Sequence, residues 1–517
     1  MDVKPLLALG GVLLATMASE FNDQVSAIAL VDIRGGFGIG HDPGTWIDSL
    51  YTSAEIVGMA LSPWFLVTLT HRLWAIGVIA GCCLFSVLIP FSPNIEAIYA
   101  LRILEGLFGG LMVPLLMATA LRVLTPDIRL YGLAVYALTA TFTPGLAATL
   151  AAFWLHTLHA WQFIFFEPIP FCALGALLVW YGLPQDPPVL KRFAMLDWRG
   201  LILLVVGTGA LSTLLLQGDR LDWFNSPFIS VLALVSALAI PLLLVNEWFH
   251  PLPFLKLQML GKRNFAYGAV GLFTFLLIAQ SGSTVPLQYL QEVQGYRPVQ
   301  AQFATLVVSA GQIVMLPLMA LLLDNKWADA RAVSLVGMAL ILASCIGSSS
   351  INVVWNRDQF YLWQALQAVG QPMVVMPLLM MATNTVTKET DGPFASALIN
   401  FPRAVAEAAG TWLLELITRW RGALHSVNIV DQVGRVRWPL VQGSGVLPTS
   451  PPPLLADGQP RAPGSLEAFN RIVEQQVTIL TTADTYLILG AITVALMVIV
   501  CVLPVRTLPP RLQFSKS

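Results

Sequence analysis

The chain has 517 residues, of which 56% are apolar and only 11% charged, with a formal net charge of −1. Soluble globular domains carry about 25% charged residues, so a water-soluble core, a disordered chain and a polar solenoid are excluded. A large β-barrel is excluded too, because its apolar positions alternate, and the near-zero charge gives no footing for nucleic acid.

Apolar runs predict fourteen spanning helices, at roughly 6–30, 46–68, 73–91, 98–121, 131–154, 163–183, 200–217, 228–248, 265–288, 301–323, 332–351, 361–384, 395–417 and 485–504. Each is near the ~20 residues that cross ~30 Å of hydrocarbon. The first run holds Glu20 and Asp23 and no small-residue cleavage site, so it is expected to stay as a span rather than leave as a signal peptide. Sixteen Lys and Arg fall in one set of short connections and terminal segments, against four in the other. That bias predicts cytoplasmic N- and C-termini. The Pro-rich, basic stretch 184–199 is expected to divide the chain. The polar stretch of about 418–484, with Pro448–Pro453 and a helix-like piece from Ser465 to Leu480, is expected to be a long outer loop.

Charges inside spans cost at least ~2.5–3.5 kcal/mol each, so those retained are candidate functional groups. They are Glu20 and Asp23 in the first span, Glu55 in the second, Arg102 and Glu105 in the fourth, Glu167 in the sixth, and Arg403 and Glu407 in the thirteenth. Glu20 and Asp23 are i,i+3 and share a face. Two adjacent carboxylates in a low dielectric cannot both stay ionised cheaply, so one is expected to load and release a proton. Glu55 has no local partner. Arg102 with Glu105 (i,i+3) and Arg403 with Glu407 (i,i+4) read either as structural ion pairs or as pairs that tune nearby carboxylates. Gly106, Gly109 and Gly110 ahead of Pro114, and Pro144-Gly145 in the fifth span, mark close packing or a kinked gating helix.

Cys82, Cys83, Cys172, Cys345 and Cys501 lie in apolar runs without metal or haem spacing, and His156 with His159 lacks a third ligand. No metal site or cofactor is expected. Without a phosphate-binding loop, nucleophile elbow or HExxH motif, neither an enzyme nor an ATP-driven pump is indicated. The energy source is then an ion gradient, or none.

Several motifs occur in order. They are Arg102-x-x-Glu105-Gly106-x-x-Gly109-Gly110, WQFIFFEPIP at Trp161–Pro170, LDW at Leu221–Trp223, KRNF at Lys262–Phe265, LQEVQGY at Leu290–Tyr296, and NFPR at Asn400–Arg403 with Gly410-Thr411. The chain resembles the fourteen-helix drug/proton antiporters of EmrB/QacA type within the major facilitator superfamily. The resemblance implies an all-α membrane fold of two six-helix bundles plus two inserted helices. Its domains would be 1–183, a linker with the inserted helices over 184–264, and 265–517. It further implies proton-coupled efflux of small amphipathic compounds by alternating access, with a periplasmic EmrA-like adaptor and an outer-membrane channel as partners of EmrB-like members.

Under this resemblance Glu20, Asp23, Glu55, Glu105, Arg102, Arg403 and Glu407 are the proton-coupling candidates. Asn22, Glu55 and Asn400 are the substrate-binding candidates. Gly106, Gly109, Gly110, Pro144, Gly145, Asp324 and Arg331 serve gating or packing. There are departures from the family pattern. Asn22, flanked by acids, stands where the family has an Asp, and Glu105 stands where a glutamine is common. Ala147-Ala148-Thr149-Leu150-Ala151-Ala152 replaces the Gly-Pro-x-x-Gly-Gly antiporter motif. Of the gating motif between the second and third spans only Pro63, His71 and Arg72 remain, whereas Asp324 to Arg331 keeps its charges. A dedicated metabolite or siderophore exporter or facilitator, and a membrane sensor that does not transport, stay open as alternatives.

Overall fold

A computed structural model describes residues 3–386, 388, 391–435 and 465–512, with Leu455 and Gln459. The described residues form helices throughout, in the order α1 (Val3–Ile28), α2 (His41–Thr68), α3 (His71–Leu88), α4 (Ile95–Val123), α5 (Arg129–Thr141 and Thr143–Ala152), α6 (Gln162–Phe166 and Pro168–Gly182), α7 (Trp198–Gln217), α8 (Pro227–Phe249), α9 (Arg263–Ala279 and Thr284–Glu292), α10 (Pro298–Leu323), α11 (Ala330–Ser348), α12 (Arg357–Thr383), α13 (Gly392–Arg435) and α14 (Ser465–Val502). Twelve of these are long and apolar enough to cross a membrane. The other two are α5, which is interrupted, and α13, which carries a polar stripe.

Local chemistry sets the boundaries. Asn94 accepts from the Ala97 amide at 2.9 Å to cap α4, and Asp197 accepts from the Gly200 amide at 2.9 Å to cap α7. Pro144 and Pro168 fall at the first turn after the breaks in α5 and α6, where a missing N–H costs nothing. Pro114 lies inside α4. Its own carbonyl accepts from Ser396 of α13 at 2.6 Å and the Leu111 carbonyl from Ser62 of α2 at 2.8 Å, so both neighbouring helices bond to α4 around the proline.

The first half packs α2 on α4, α1 on α6 and α3 on α4; the second packs α11 on α12, α10 on α12 and α14 on α11 and α13. Glycines set the tightest approach. A Cβ on Gly110 would lie 2.8 Å from the Glu55 Cα, and one on Gly106 2.9 Å from the Tyr51 Cα, so α4 presents a groove into which the α2 backbone sinks. The inserted pair α7–α8 attaches through α7. Gln217 donates to Ser49 at 2.6 Å and Ser212 to Ser53 at 2.8 Å, a polar seam along α2.

Fourteen crossings bring the two ends of the described chain to one end of the bundle. Arg263, at the start of α9, donates to the Val502 carbonyl at 3.1 Å, and Gly182 abuts the Lys4 backbone. At this terminal end the halves are closed on each other. Tyr136 of α5 donates to Asn400 of α13 at 2.5 Å, next to the Ser396 contact with α4.

One expectation is corrected. The stretch 418–484 is not a loop where it is described: residues to Arg435 continue α13, and residues from Ser465 belong to α14. Pro448–Pro453 lies outside the described residues. At 1.5 Å per residue, α13 is roughly 66 Å long and α14 roughly 57 Å, against ~30 Å of hydrocarbon. Both therefore project beyond the membrane at the end opposite the termini.

Candidate functional site

A cavity of about 710 Å³ lies between the halves. Its first wall comes from α1, α2, α5 and the end of α7, its second from α9, α10, α12, α13 and α14. Its lining residues lie in the parts of these helices away from the chain termini, so it opens at that far end, and the α4–α5–α13 contacts close it below.

The floor carries an ionic cluster that joins the halves. Arg403 of α13, 1% exposed, donates to Glu20 of α1 at 2.7 Å, to Glu407 at 3.2 Å and to the Thr139 hydroxyl of α5 at 3.2 Å. Arg403 thus has two carboxylate partners, and only the loss of both would strand its buried charge, at a cost of several kcal/mol. Asp23, one turn beyond Glu20, faces the cavity, and its Oδ1 has no hydrogen-bond partner. Glu55, 6% exposed, also faces the cavity and makes no hydrogen bond or ion pair among the described residues.

The remaining predicted residues sit elsewhere. Arg102 and Glu105, both 0% exposed, form a 2.7 Å ion pair inside the first half, away from the cavity. Arg102 also donates to Ser26 at 3.1 Å and lies over the Tyr51 ring. Glu105 accepts from Asn22 as well, which places that asparagine behind the cavity wall, not in it. Asn400 lies below the floor, in the closed contact with Tyr136. Neither asparagine, both expected to bind substrate, lines the cavity. Both Glu105 oxygens are engaged, by Asn22 and Arg102, inside the first half. Glu167 accepts from the Trp154 indole at 2.6 Å, near the far end of the first half.

Of the packing candidates, Gly106 and Gly110 hold α2 on α4, and a Cβ on Gly109 would meet the Tyr51 hydroxyl and Ser19 at 2.8 Å. Gly145, beside Pro144 at the break in α5, faces α10 across the halves, where a Cβ would lie 3.1 Å from the Thr305 carbonyl. Asp324 pairs with Arg511 at 2.8 Å and Arg331 with Asp329 at 3.1 Å, so the two charged candidates of the α10–α11 connection do not pair with each other.

The cavity also exposes residues that the sequence did not single out. Asp48 precedes Thr52 and Glu55 at i+4 and i+7, one helical face of α2. On α13 the lining residues Arg403, Glu407, Thr411, Glu415 and Arg419 recur every four positions. That periodicity was the available signal for Glu415 and Arg419; Glu415 lies inside the predicted span 395–417 without being singled out, whereas Arg419 falls beyond its end. Asp219 and Glu292 lie at the mouth. Arg419 bridges to Asp219 at 3.2 Å and to Asp222, tying α13 to the α7–α8 turn. The Arg419 guanidinium, helped by Asn225, holds the Asp222 carboxyl below its ordinary range.

A family model described as Major Facilitator Superfamily matches residues 12–284. Among curated proteins, the chain is 26% identical to the fatty acid resistance protein FarB of Neisseria gonorrhoeae, over 83% of each chain. It is 26% identical to the probable multidrug resistance protein EmrY of Escherichia coli, over 82% of each, and 24% identical to the colistin resistance protein EmrB of Acinetobacter baumannii, over 80% of each. Among solved structures, a POT family transporter superposes with a TM-score of 0.58 at 12% identity, covering 96% of this chain and 95% of that one. The proton:xylose symporter XylE superposes with a TM-score of 0.57 at 12% identity, with the same coverage.

Proposed function

Because the chain belongs to the major facilitator superfamily and is a multi-pass membrane transporter, we propose that it is a proton-coupled exporter that works by alternating access between the halves 1–183 and 265–517, with the linker and α7–α8 inserted over 184–264. The observation that carries this reading is the Glu20–Arg403–Glu407 cluster, which spans the two halves at the floor of the cavity. With the termini in the cytoplasm, the cavity faces outward.

The chemistry follows from that placement. A proton entering from outside neutralises Glu20, and Arg403 then keeps Glu407 as its anionic partner. The link between α1 and α13 weakens, and the halves are free to rock. Asp23 and Glu55, without cations of their own, compete for a proton or for a bound substrate group. Loading them with protons on the outside expels substrate. Losing the protons to the cytoplasm restores the site.

The names of the relatives support efflux of toxic small molecules: FarB, EmrY and EmrB are named for resistance to fatty acids, multiple drugs and colistin respectively. The extensions of α13 and α14 would offer a periplasmic adaptor of the EmrA kind a surface on the outer side, as the inner-membrane part of a tripartite pump.

The test is a pH-sensitive dye in inside-out vesicles with an acidified lumen. A panel containing a polyamine, an aromatic cation, a fatty acid and a neutral drug is added in turn. At least one compound should discharge the gradient in wild-type vesicles and fail to do so with Glu20→Gln. Discharge by none of a broad panel, or equally with the variant, overturns proton-coupled export.

A further inference from the structure

We propose that the cavity recognises organic polycations, flexible molecules with two or more protonated amines spaced about two helical turns apart. This names the substrate class of the transport site and rests on the reading above.

The lining is unusual for a drug site. Small-molecule pockets are lined mainly by apolar and aromatic side chains, with few polar groups. Here the described lining residues include eight carboxylates against two arginines, with eleven threonines, four glutamines and a single aromatic ring, Tyr289.

The carboxylates fall in two tiers. Glu20 and Asp23 of α1, Glu55 of α2 and Glu407 of α13 form the deep tier, and Asp48 lies about two helical turns from Glu55 on the same face of α2. Asp219, Glu292 and Glu415 form the tier at the mouth. Glu407 and Glu415 are eight residues apart on one helix face, about 12 Å along the axis. Arg403 answers Glu20 and Glu407, and Arg419 answers Asp219. That leaves Asp23, Asp48, Glu55, Glu292 and Glu415 with no ion pair among the described residues.

Two of these carry the argument furthest. Glu55 is 6% exposed, faces the cavity and has no hydrogen-bond partner, and Glu415 has a buried Oε2 with none. The Ser309 hydroxyl, 1% exposed on the opposite wall, is unpartnered as well. A buried acid left alone is costly, whereas an ammonium group meets it with a charge-assisted hydrogen bond. The other ammonium hydrogens find acceptors in threonine hydroxyls and glutamine carbonyls. A single flat cation satisfies one tier only and finds little aromatic surface to stack on.

The experiment uses purified full-length protein in lipid nanodiscs with radiolabelled spermidine near pH 8. Saturable binding is expected. It should weaken at least about tenfold in Glu55→Gln and in Glu415→Gln that unfold at the wild-type temperature. Octamethylene diamine should displace spermidine better than putrescine, tetraphenylphosphonium or oleate. Absence of saturable binding, or displacement by tetraphenylphosphonium or oleate at least as potent as by the diamine, overturns the proposal. The vesicle dye assay reads coupling separately. Spermidine binding without proton discharge would remove the antiport and keep this site, whereas discharge by oleate alone would keep the antiport and remove this site.

Discussion

Two buried carboxylates, each paired with an arginine at 2.7 Å, do different work because of where the arginine comes from. Arg102 and Glu105 share one helix, and Asn22 and Ser26 complete a closed network inside the first half. Glu105→Ala strands Arg102 and should cost about 3–5 kcal/mol, read as a large drop in unfolding temperature in detergent. Glu20 and Arg403 belong to different halves, and Arg403 keeps Glu407 and Thr139 when Glu20 is lost. Glu20→Gln should therefore unfold close to the wild type and lose proton exchange by at least about tenfold. The local pairs Arg102–Glu105 and Arg403–Glu407 were legible from i,i+3 and i,i+4 spacing. The Glu20–Arg403 pair was not, because partners 383 positions apart leave no periodic trace. Asn22, singled out because it stands where the resembled family has an Asp, is turned to the other side of α1, toward Glu105.

At the scale of the elements, glycine placement decides how closely helices meet. Gly110→Val drives a branched side chain into the Glu55 backbone. It should lower stability by roughly 1–3 kcal/mol or more and displace the carboxylate that α2 presents to the cavity. Gly145→Val acts between halves, against Thr305 and Ser309. It should leave folding intact while slowing exchange, separable by unfolding temperature against transport rate. The fourteen apolar runs were readable because lipid forces each segment to satisfy its own backbone. The continuation of α13 beyond the membrane was not, since water-exposed helix lacks the apolar run by which spans were located; Ser465 to Leu480 reads as helix-like but not as continuous with the last span. Replacing residues 430–470 with a short flexible linker should preserve exchange in vesicles and reduce export from cells, if those extensions serve an adaptor.

For the molecule as a whole, the closed terminal end and the open far end are what the proposed rocking cycle requires of one of its states. Single cysteines at Thr411 and Thr418, in a background without the five native cysteines, should react with a membrane-impermeant thiol reagent added outside cells. They should be shielded by saturating substrate. The fold class was legible from composition and the ordered motifs, whereas the polarity of the cavity was not, because it emerges only where nine helices converge. The most direct measurement is uphill transport in proteoliposomes under an imposed pH gradient, using the compound that best discharges the vesicle gradient. It compares the wild type with a Glu20→Gln, Asp23→Asn, Glu55→Gln triple variant. Exchange through the cavity carboxylates predicts accumulation in the wild type that collapses when the gradient is removed, and none in the variant. Gradient-driven accumulation by the variant at the wild-type rate would contradict it.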